Sequence, residues 1–330
     1  MIELAQRCLG TESVLQMPLY SPSMTRRRFA QTTTSMALAA SVTKKFALAF
    51  DAEDEQNEVK VGLIADLHFG DLAPDGIERF KVFRKAVENE KPDHMVQLGD
   101  FCFGEPAAKK LMDEWKAIKT DKYHVLGNHD MDKDTKASIQ KFWGMEKRYY
   151  DFDQNGWKFI VLDMNHLKKG DEYIPYGNAN FYVDPSMRTW ADPEQLTWLN
   201  KTLAESVLPV IIYTHQPIGQ RPDSPQQRPI LAILKKHTST PSRPKVRAVI
   251  CGHQHDDWHR EIDRIHHVCI NSASYLWKDR RPWPYQEALF TFMEIKDGNL
   301  TLTGTKTTWR ERPDGVDKVP TISARDLRLG

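Results

Sequence analysis

Residues 59–68 read VKVGLIADLH, a short apolar run rich in branched side chains that ends abruptly in a carboxylate and an imidazole. Such a run, too short for a buried helix and bounded by polar residues, reads as a buried strand, here Val59 to Ala65. The pattern then recurs along the chain. His94 to Leu98 leads into Gly99-Asp100, and Tyr123 to Leu126 into Gly127-Asn128-His129-Asp130. Val210 to Tyr213 leads through Thr214 into His215, and Val246 to Ile250 through Cys251 into Gly252-His253-Gln254-His255. Phe159 to Leu162 reads as a further strand. Potential ligand side chains therefore follow five strands, at the strand ends where open α/β sheets place their sites.

The segments between the first strands carry helical spacing. Gly76 to Glu90 places Ile77, Phe80, Phe83 and Val87 at three- and four-residue steps, and Ala107 to Ile118 does the same with Leu111, Trp115 and Ile118. Strand and helix in alternation predict βαβ units and a largely parallel sheet. After Glu287 the pattern changes to alternating strands, Leu289 to Ile295 and Asn299 to Thr307, expected to pair antiparallel. The expected fold class is α/β with two packed sheets.

Composition narrows the function classes. The chain of 330 residues carries 46 basic and 45 acidic side chains, so a net charge of +1 offers no track for a long polyanion. Hydrophobic residues make up 40% and aromatics 10%, which excludes a wholly disordered chain. No run of 18 apolar residues is present, which gives no sign of a spanning helix. Cys8, Cys102, Cys251 and Cys269 are too few and too irregularly spaced for a disulfide scaffold or a zinc ribbon.

Each polar cluster alone is weak, since Gly-Asp is a common turn and a single histidine is most often a satisfied core residue. Gly-His-x-His is stronger, because alternate residues of an extended segment point to one side. Five clusters in this order, each after a strand, are not coincidence. Together, Asp-x-His, Gly-Asp, Gly-Asn-His-Asp, His and Gly-His-x-His resemble the signature of the calcineurin-like metallophosphoesterase superfamily, over about residues 59 to 275. The resemblance implies a two-sheet β-sandwich flanked by helices, with a dinuclear metal site at the strand ends. It implies a first metal on Asp66, His68, Asp100 and His255, and a second on Asp100, Asn128, His215 and His253, Asp100 bridging. His129 would be the catalytic imidazole near the leaving group. Asp130 has two open readings, a carboxylate orienting His129 or a solvated turn residue. The stretch Gln195 to Leu203 resembles the family's helix before the fourth-motif strand.

The chemistry of these donors is consistent with that resemblance. Mixed histidine and carboxylate ligands suit two divalent or trivalent transition-metal ions, Mn, Fe or Zn, over a pure oxygen site. Two such ions sharing a carboxylate can clamp attacking and leaving oxygens, and the expected reaction is in-line attack of hydroxide held between them on a phosphodiester or phosphoanhydride. A broad-range phosphomonoesterase is the alternative; a non-catalytic binding domain or a nuclease rank behind both. The expected partner is a small phosphorylated substrate, with a nucleotide as one candidate. Phe103 stands where purple acid phosphatases carry a ligand tyrosine, and His68 is present instead, which argues against that branch. Length and motif spacing look closest to the cyclic-nucleotide phosphodiesterase and nucleoside-diphosphate-linked hydrolase group. Candidate substrate contacts are the segment Tyr176 to Tyr182, the aromatics Tyr275, Trp277, Trp283 and Tyr285, and Arg280 with Arg281. His259, His266 and His267 read as supporting or surface residues, and the cysteines as small buried ones.

Ahead of the domain, Thr25-Arg26-Arg27-Arg28-Phe29 resembles a twin-arginine export signature, followed by an Ala/Thr-rich stretch and the small-x-small spacing of Ala47-Leu48-Ala49. The reading is a signal segment within residues 1–49, with Met24 as the translation start, and one metallophosphoesterase domain over 50–330. It implies the twin-arginine export machinery as a partner and a periplasmic or extracellular location.

Overall fold

The apolar run at residue 59 becomes strand β1 (Val59–Ile64), the centre of one of two six-stranded sheets. The computed structural model describes residues 58–70, 75–104, 106, 108–240 and 243–329. The expected signal segment and Met24 lie outside them. In chain order, β1 is followed by α1 (Gly76–Glu90), β2 (His94–Gln97), α2 (Lys109–Ala117), β3 (Asp121–His124) and α3 (Lys136–Trp143). Next come β4 (Tyr150–Gln154), β5 (Trp157–Val161), α4 (Pro193–Glu205), β6 (Val210–Tyr213), α5 (Arg228–Lys236) and β7 (Val246–Cys251). The chain closes with β8 (Trp258–Ile262), β9 (Ile265–Cys269), β10 (Thr291–Lys296), β11 (Asn299–Leu302) and β12 (Arg325–Arg328). Among the described residues no helix is long and apolar enough to cross a membrane.

The first sheet has the order β12-β11-β10-β1-β2-β3 and the second β8-β9-β7-β6-β5-β4. A largely parallel sheet was expected; both sheets are mixed. Parallel pairing is confined to β1-β2-β3 and to β9-β7-β6-β5, while β10, β11 and β12 and the edges β8 and β4 pair antiparallel. Tight hairpins account for the difference. Asn155-Gly156 turns at φ 48° and 76° between β4 and β5, and Asp297-Gly298 at φ 50° and 72° between β10 and β11. Positive φ at both turn residues matches the twist of antiparallel strands.

Side-chain alternation builds four layers. On β6, Ile211 and Tyr213 face the partner sheet and pack with Val61, Leu63 and Phe159, while Val210 and Ile212 face outward under Leu199, Leu203, Ile230 and Leu234 of α4 and α5. Ile64 on the far face of β1 meets Phe80 and Phe83 of α1 and Trp115 of α2. Each fully buried large side chain contributes roughly 1.5–3 kcal/mol. α4 starts where its sequence says it should: Asp192 accepts from Gln195 N at 2.9 Å, with Pro193 in the first turn. The layering leaves the C-terminal ends of β1, β2, β3, β6 and β7 converging on one region.

Candidate metal centre

Asp66 and His68 follow β1, Asp100 follows β2, Asn128 and His129 follow β3, His215 follows β6, and His253 and His255 follow β7. The loops are tied to one another rather than left to solvent. Asp66 N donates to Gly99 O at 3.1 Å and His68 N to Asp100 O at 2.8 Å, which continues the β1–β2 pairing past the strands. Ser272 Oγ and Ser274 Oγ donate to Asp66 O and Leu67 O, each at 2.8 Å. Buried Arg79 of α1 in turn donates to Ala273 O at 3.1 Å and to Tyr285 O.

Five of these side chains sit on left-handed backbone: Asp66, His68, Asp100, His253 and His255 have φ of 53°, 51°, 50°, 71° and 48°. Aspartate and histidine tolerate that region better than most residues, yet each still costs on the order of 1 kcal/mol or more. Two glycines let the loops close. A Cβ on Gly127 would stand 2.2 Å from Asp100 Oδ1, and one on Gly252 would stand 2.4 Å from Asp66 Oδ2. The glycine of one motif thus makes room for the carboxylate of another, which is why Gly precedes the polar residues in both.

The donors gather into two groups, Asp66 with His68 and His255, and Asp100 with His215 and His253, the ligand atoms of each lying within 4.8 Å of one another. His68 Nε2 and His255 Nε2 are 3.0 Å apart, and His253 Nδ1 and His215 Nε2 3.1 Å. Asp100 Oδ2 joins the groups, at 3.1 Å from His215 Nε2 and 3.7 Å from His68 Nε2. His215 Nδ1 donates to Leu98 O and His255 Nδ1 to Tyr275 O, both at 2.8 Å, so each ring turns its Nε2 to the cluster. Asn128 Oδ1 is buried and accepts no hydrogen bond. Converging nitrogens, two carboxylates and an orphaned amide oxygen are a donor set that fits transition-metal cations.

Electrostatics agree. Burial works against both carboxylates, but His255 holds Asp66 below the usual range, and His215 with His129 holds Asp100 well below it. Burial also opposes charge on His215, yet Asp100 overrides it and the imidazole is pushed up to about 10. His253, buried beside His215, falls to about 3.

His129 borders the cleft over this cluster, at the start of a 3-10 turn, and its N donates to Asp100 Oδ1 at 2.7 Å. Its Nδ1 bonds Asp132 Oδ2 at 2.8 Å, which orients the ring. Neither open reading of Asp130 holds. Its buried carboxylate accepts from Gly127 N, Asp100 N, Phe101 N and Cys102 N at 2.6–3.1 Å and clamps the Asp100 loop.

The family model described as calcineurin-like phosphoesterase matches residues 59–257, from β1 through the last histidine motif. The chain belongs to the calcineurin-like phosphoesterase family. It is accordingly a phosphoric ester hydrolase. A 3′,5′-cyclic-nucleotide phosphodiesterase of Nostoc sp. is 24% identical over 295 residues, covering 82% of this chain and 98% of that protein. A dimetal phosphatase from Danio rerio shares the fold with a TM-score of 0.58 at 16% identity, over 82% of this chain and 99% of its own. GAP50, the anchor in the inner membrane complex of Plasmodium, also shares it, with a TM-score of 0.52, 17% identity and coverage of 83% and 89%.

Around this phosphoesterase site the outer contacts divide. Tyr182 and Trp277 border the cleft with Tyr275, and Tyr182 OH lies 3.4 Å from His129 Nδ1. Trp283 and Tyr285 are buried instead, Tyr285 OH donating to Asn271 Oδ1 at 2.9 Å. Arg281 lies over the Trp283 ring and pairs with Glu311, and neither it nor Arg280 borders the clefts at the centre. His259 and His266 bond each other at 3.0 Å, away from the cluster, and Cys251 and Cys269 are buried register partners on β7 and β9. Sequence reading missed Asp132, Ser272 and Ser274. Asp132 stood three residues after His129, a spacing that one helical turn brings together; nothing local flagged the serines, which act from across the sheet.

Proposed function

We propose that this phosphoesterase is dinuclear and hydrolyses a phosphodiester or phosphoanhydride. The observation that carries the reading is Asp100 Oδ2, which touches both donor groups beneath a cleft that His129 borders. Asp66, His68, His255 and Asp100 would hold one ion, and Asp100, Asn128, His215 and His253 the other, with Mn, Fe or Zn as the candidates. Such ions supply Lewis acidity and acidify water near neutral pH.

The chain's own residues do the rest. The backbone carbonyls on His215 and His255 and the Asp130 clamp hold the donors in place before substrate arrives, so no reorganisation is needed during reaction. His129, oriented by Asp132, is the general acid that passes a proton to the departing oxygen. The Nostoc sp. relative, named for a cyclic diester, supports a nucleotide-sized diester. The Thr25-to-Phe29 stretch supports export by the twin-arginine route, and the mature N-terminus of the native protein tests it. For the reaction, bis-p-nitrophenyl phosphate is offered to Mn-loaded, chelator-stripped and Mn-restored protein beside the monoester. Diester hydrolysis lost on stripping and regained on restoration is the expected result. Metal-loaded protein that turns over neither ester would overturn it.

A further inference from the structure

His259 and His266 lie outside the catalytic machinery, and the register of one hairpin sets them against each other. The turn Asp263-Arg264, at φ 49° and 65°, closes β8 onto β9 with Ile262 opposite Ile265. Positive φ at both turn residues suits that tight antiparallel connection. Glu261 therefore stands opposite His266, and His259 opposite Val268. Side chains two apart on a strand share a face with those directly across from them, so His259, Glu261 and His266 come together. Arg260, between the first two, turns to the other face, where its Nη1 donates to Gly219 O and Gln220 O at 3.3 and 3.1 Å.

The shared face looks toward the partner sheet, since Val268 belongs to the core between the sheets. β8 is the edge of its sheet and β12 the edge of the other. His266 Nε2 spans them, donating to Arg328 O of β12 at 2.8 Å. A carbonyl only accepts, so Nε2 carries the proton and Nδ1 of the neutral ring presents its lone pair. That lone pair meets His259 Nε2 at 3.0 Å, and Glu261 Oε2 lies 3.9 Å from the same Nδ1. The His266 side chain is 7% exposed and that of Glu261 54%, so the group is anchored from inside and open to solvent on one flank.

The catalytic centre has the same arrangement. There His253 Nδ1 and His215 Nε2 are 3.1 Å apart, and His215 Nδ1 donates to Leu98 O at 2.8 Å. Bonds of about 2.0–2.1 Å from two imidazoles to one zinc ion place cis nitrogens about 2.8–3.4 Å apart, a range that contains the His259–His266 separation. A backbone acceptor on the far nitrogen fixes the tautomer that ligation needs. Burial, with the charges of His266 and Arg325, holds His259 below its ordinary range and so neutral near pH 7, while Glu261 opposes them. Arg325 is itself matched by Asp257 Oδ1 at 2.7 Å.

We propose that His259, Glu261 and His266 form a site for a divalent transition-metal ion, separate from the catalytic centre, with solvent completing the coordination. Two imidazoles and one carboxylate favour zinc over manganese, which stands at the weak end of the divalent series for such donors. A bound ion ties the β8–β9 hairpin to the C-terminal strand through the bond from His266 to Arg328 O. None of the three residues borders the clefts at the catalytic centre, so the site does not depend on what that centre holds.

The test counts all metal in the full chain by mass spectrometry, first after loading with Mn and dialysis, then after zinc is added and dialysis repeated. Zinc should raise the total by about one ion, because the site releases Mn on dialysis and retains zinc. His259→Ala and Glu261→Gln should each lose that ion, with diester turnover at the wild-type rate. A total that zinc does not raise, or an added ion that survives in either variant, overturns the proposal; the pair is then a hydrogen bond between strands and nothing more. Failure of the dinuclear reading is told apart by the comparison between chains. It would lower the counts of wild type and variants alike and leave the difference of one ion in place.

Discussion

Lys136, Arg148, Asp163, Asp192 and His166 form one network of largely buried charge, and Asp66, Asp100 and four histidines form another at the strand ends. In the first, Lys136 Nζ meets Asp163 Oδ2 at 2.6 Å and donates to Asn165 O at 2.7 Å, Arg148 bridges Asp163 and Asp192, and His166 lies 3.3 Å from Asp192. Burial alone would raise Asp163, but Lys136, His166 and Arg148 hold it well below the usual carboxylate range. None of these residues has a left-handed backbone. At the strand ends the charges that face Asp66 and Asp100 are histidines, five side chains there are left-handed, and Asn128 Oδ1 has no partner. The first network carries its cations in the sequence. The second has the anions and the strain but no lysine or arginine among its partners, and a buried carboxylate without a fixed cation is costly. Backbone strain with missing counter-charge marks where the molecule binds something rather than where it holds itself together.

That contrast predicts unequal responses to the same substitution. Asp100→Asn should lower diester turnover by about 1000-fold or more, because it removes the oxygen shared by both donor groups. Its metal-free form should lose less stability than Asp163→Asn, because His215, once freed of Asp100, can release its proton, whereas Lys136 and Arg148 keep their charge. Asp163→Asn should destabilise by about 3–5 kcal/mol, leaving buried Lys136 without its carboxylate and Arg148 with Asp192 alone, as chemical denaturation would measure. Equal losses of stability in the two variants would erase the distinction. His129→Ala should cost about 100- to 1000-fold in turnover with metal content unchanged, which paired kinetics and metal analysis would read.

A smaller effect comes from pH. His94, bonded to Tyr213 OH at 3.1 Å between the sheets, is pushed down to about 4 by burial, and His124, packed between Trp115 and Trp143, to about 3. Both folded values lie below the unfolded 6.5, so the unfolded chain binds more protons below that pH. Their stabilisation is present above pH 6.5 and lost as pH falls toward 4 and 3, on the order of 3 kcal/mol for His94. Asp163, depressed in the same sense, adds its loss only below about pH 4. Denaturation midpoints that stay level between pH 7 and 4.5 would contradict this. Smallest is Thr135→Ala, which removes the acceptor 3.1 Å from Ser138 N at the start of α3 and should cost about 1 kcal/mol.

The strands that carry chemistry were legible because each ends an apolar run: Val210 to Tyr213 matches β6 residue for residue, and α1 spans Gly76 to Glu90 as its spacing predicts. The β3 region slipped, from Tyr123–Leu126 to Asp121–His124, because Val125 and Leu126 are buried just past the pairing. Strand direction was not legible from alternation alone, since β10 reaches β1 from more than two hundred residues away. The Asn155-Gly156 turn was a readable hairpin signal that the strand-helix pattern overshadowed. At the site, residue types and order pointed to the cluster, but left-handed backbone and the Asp130 clamp are properties of loops packed on one another.

Metal content of the purified chain, measured by mass spectrometry after dialysis with Mn and repeated on Asp100→Asn, tests the central claim most directly. The account predicts about two ions per wild-type chain and a loss of at least one in the variant. A wild-type chain that retains none after reconstitution, or a variant that retains both, would contradict it.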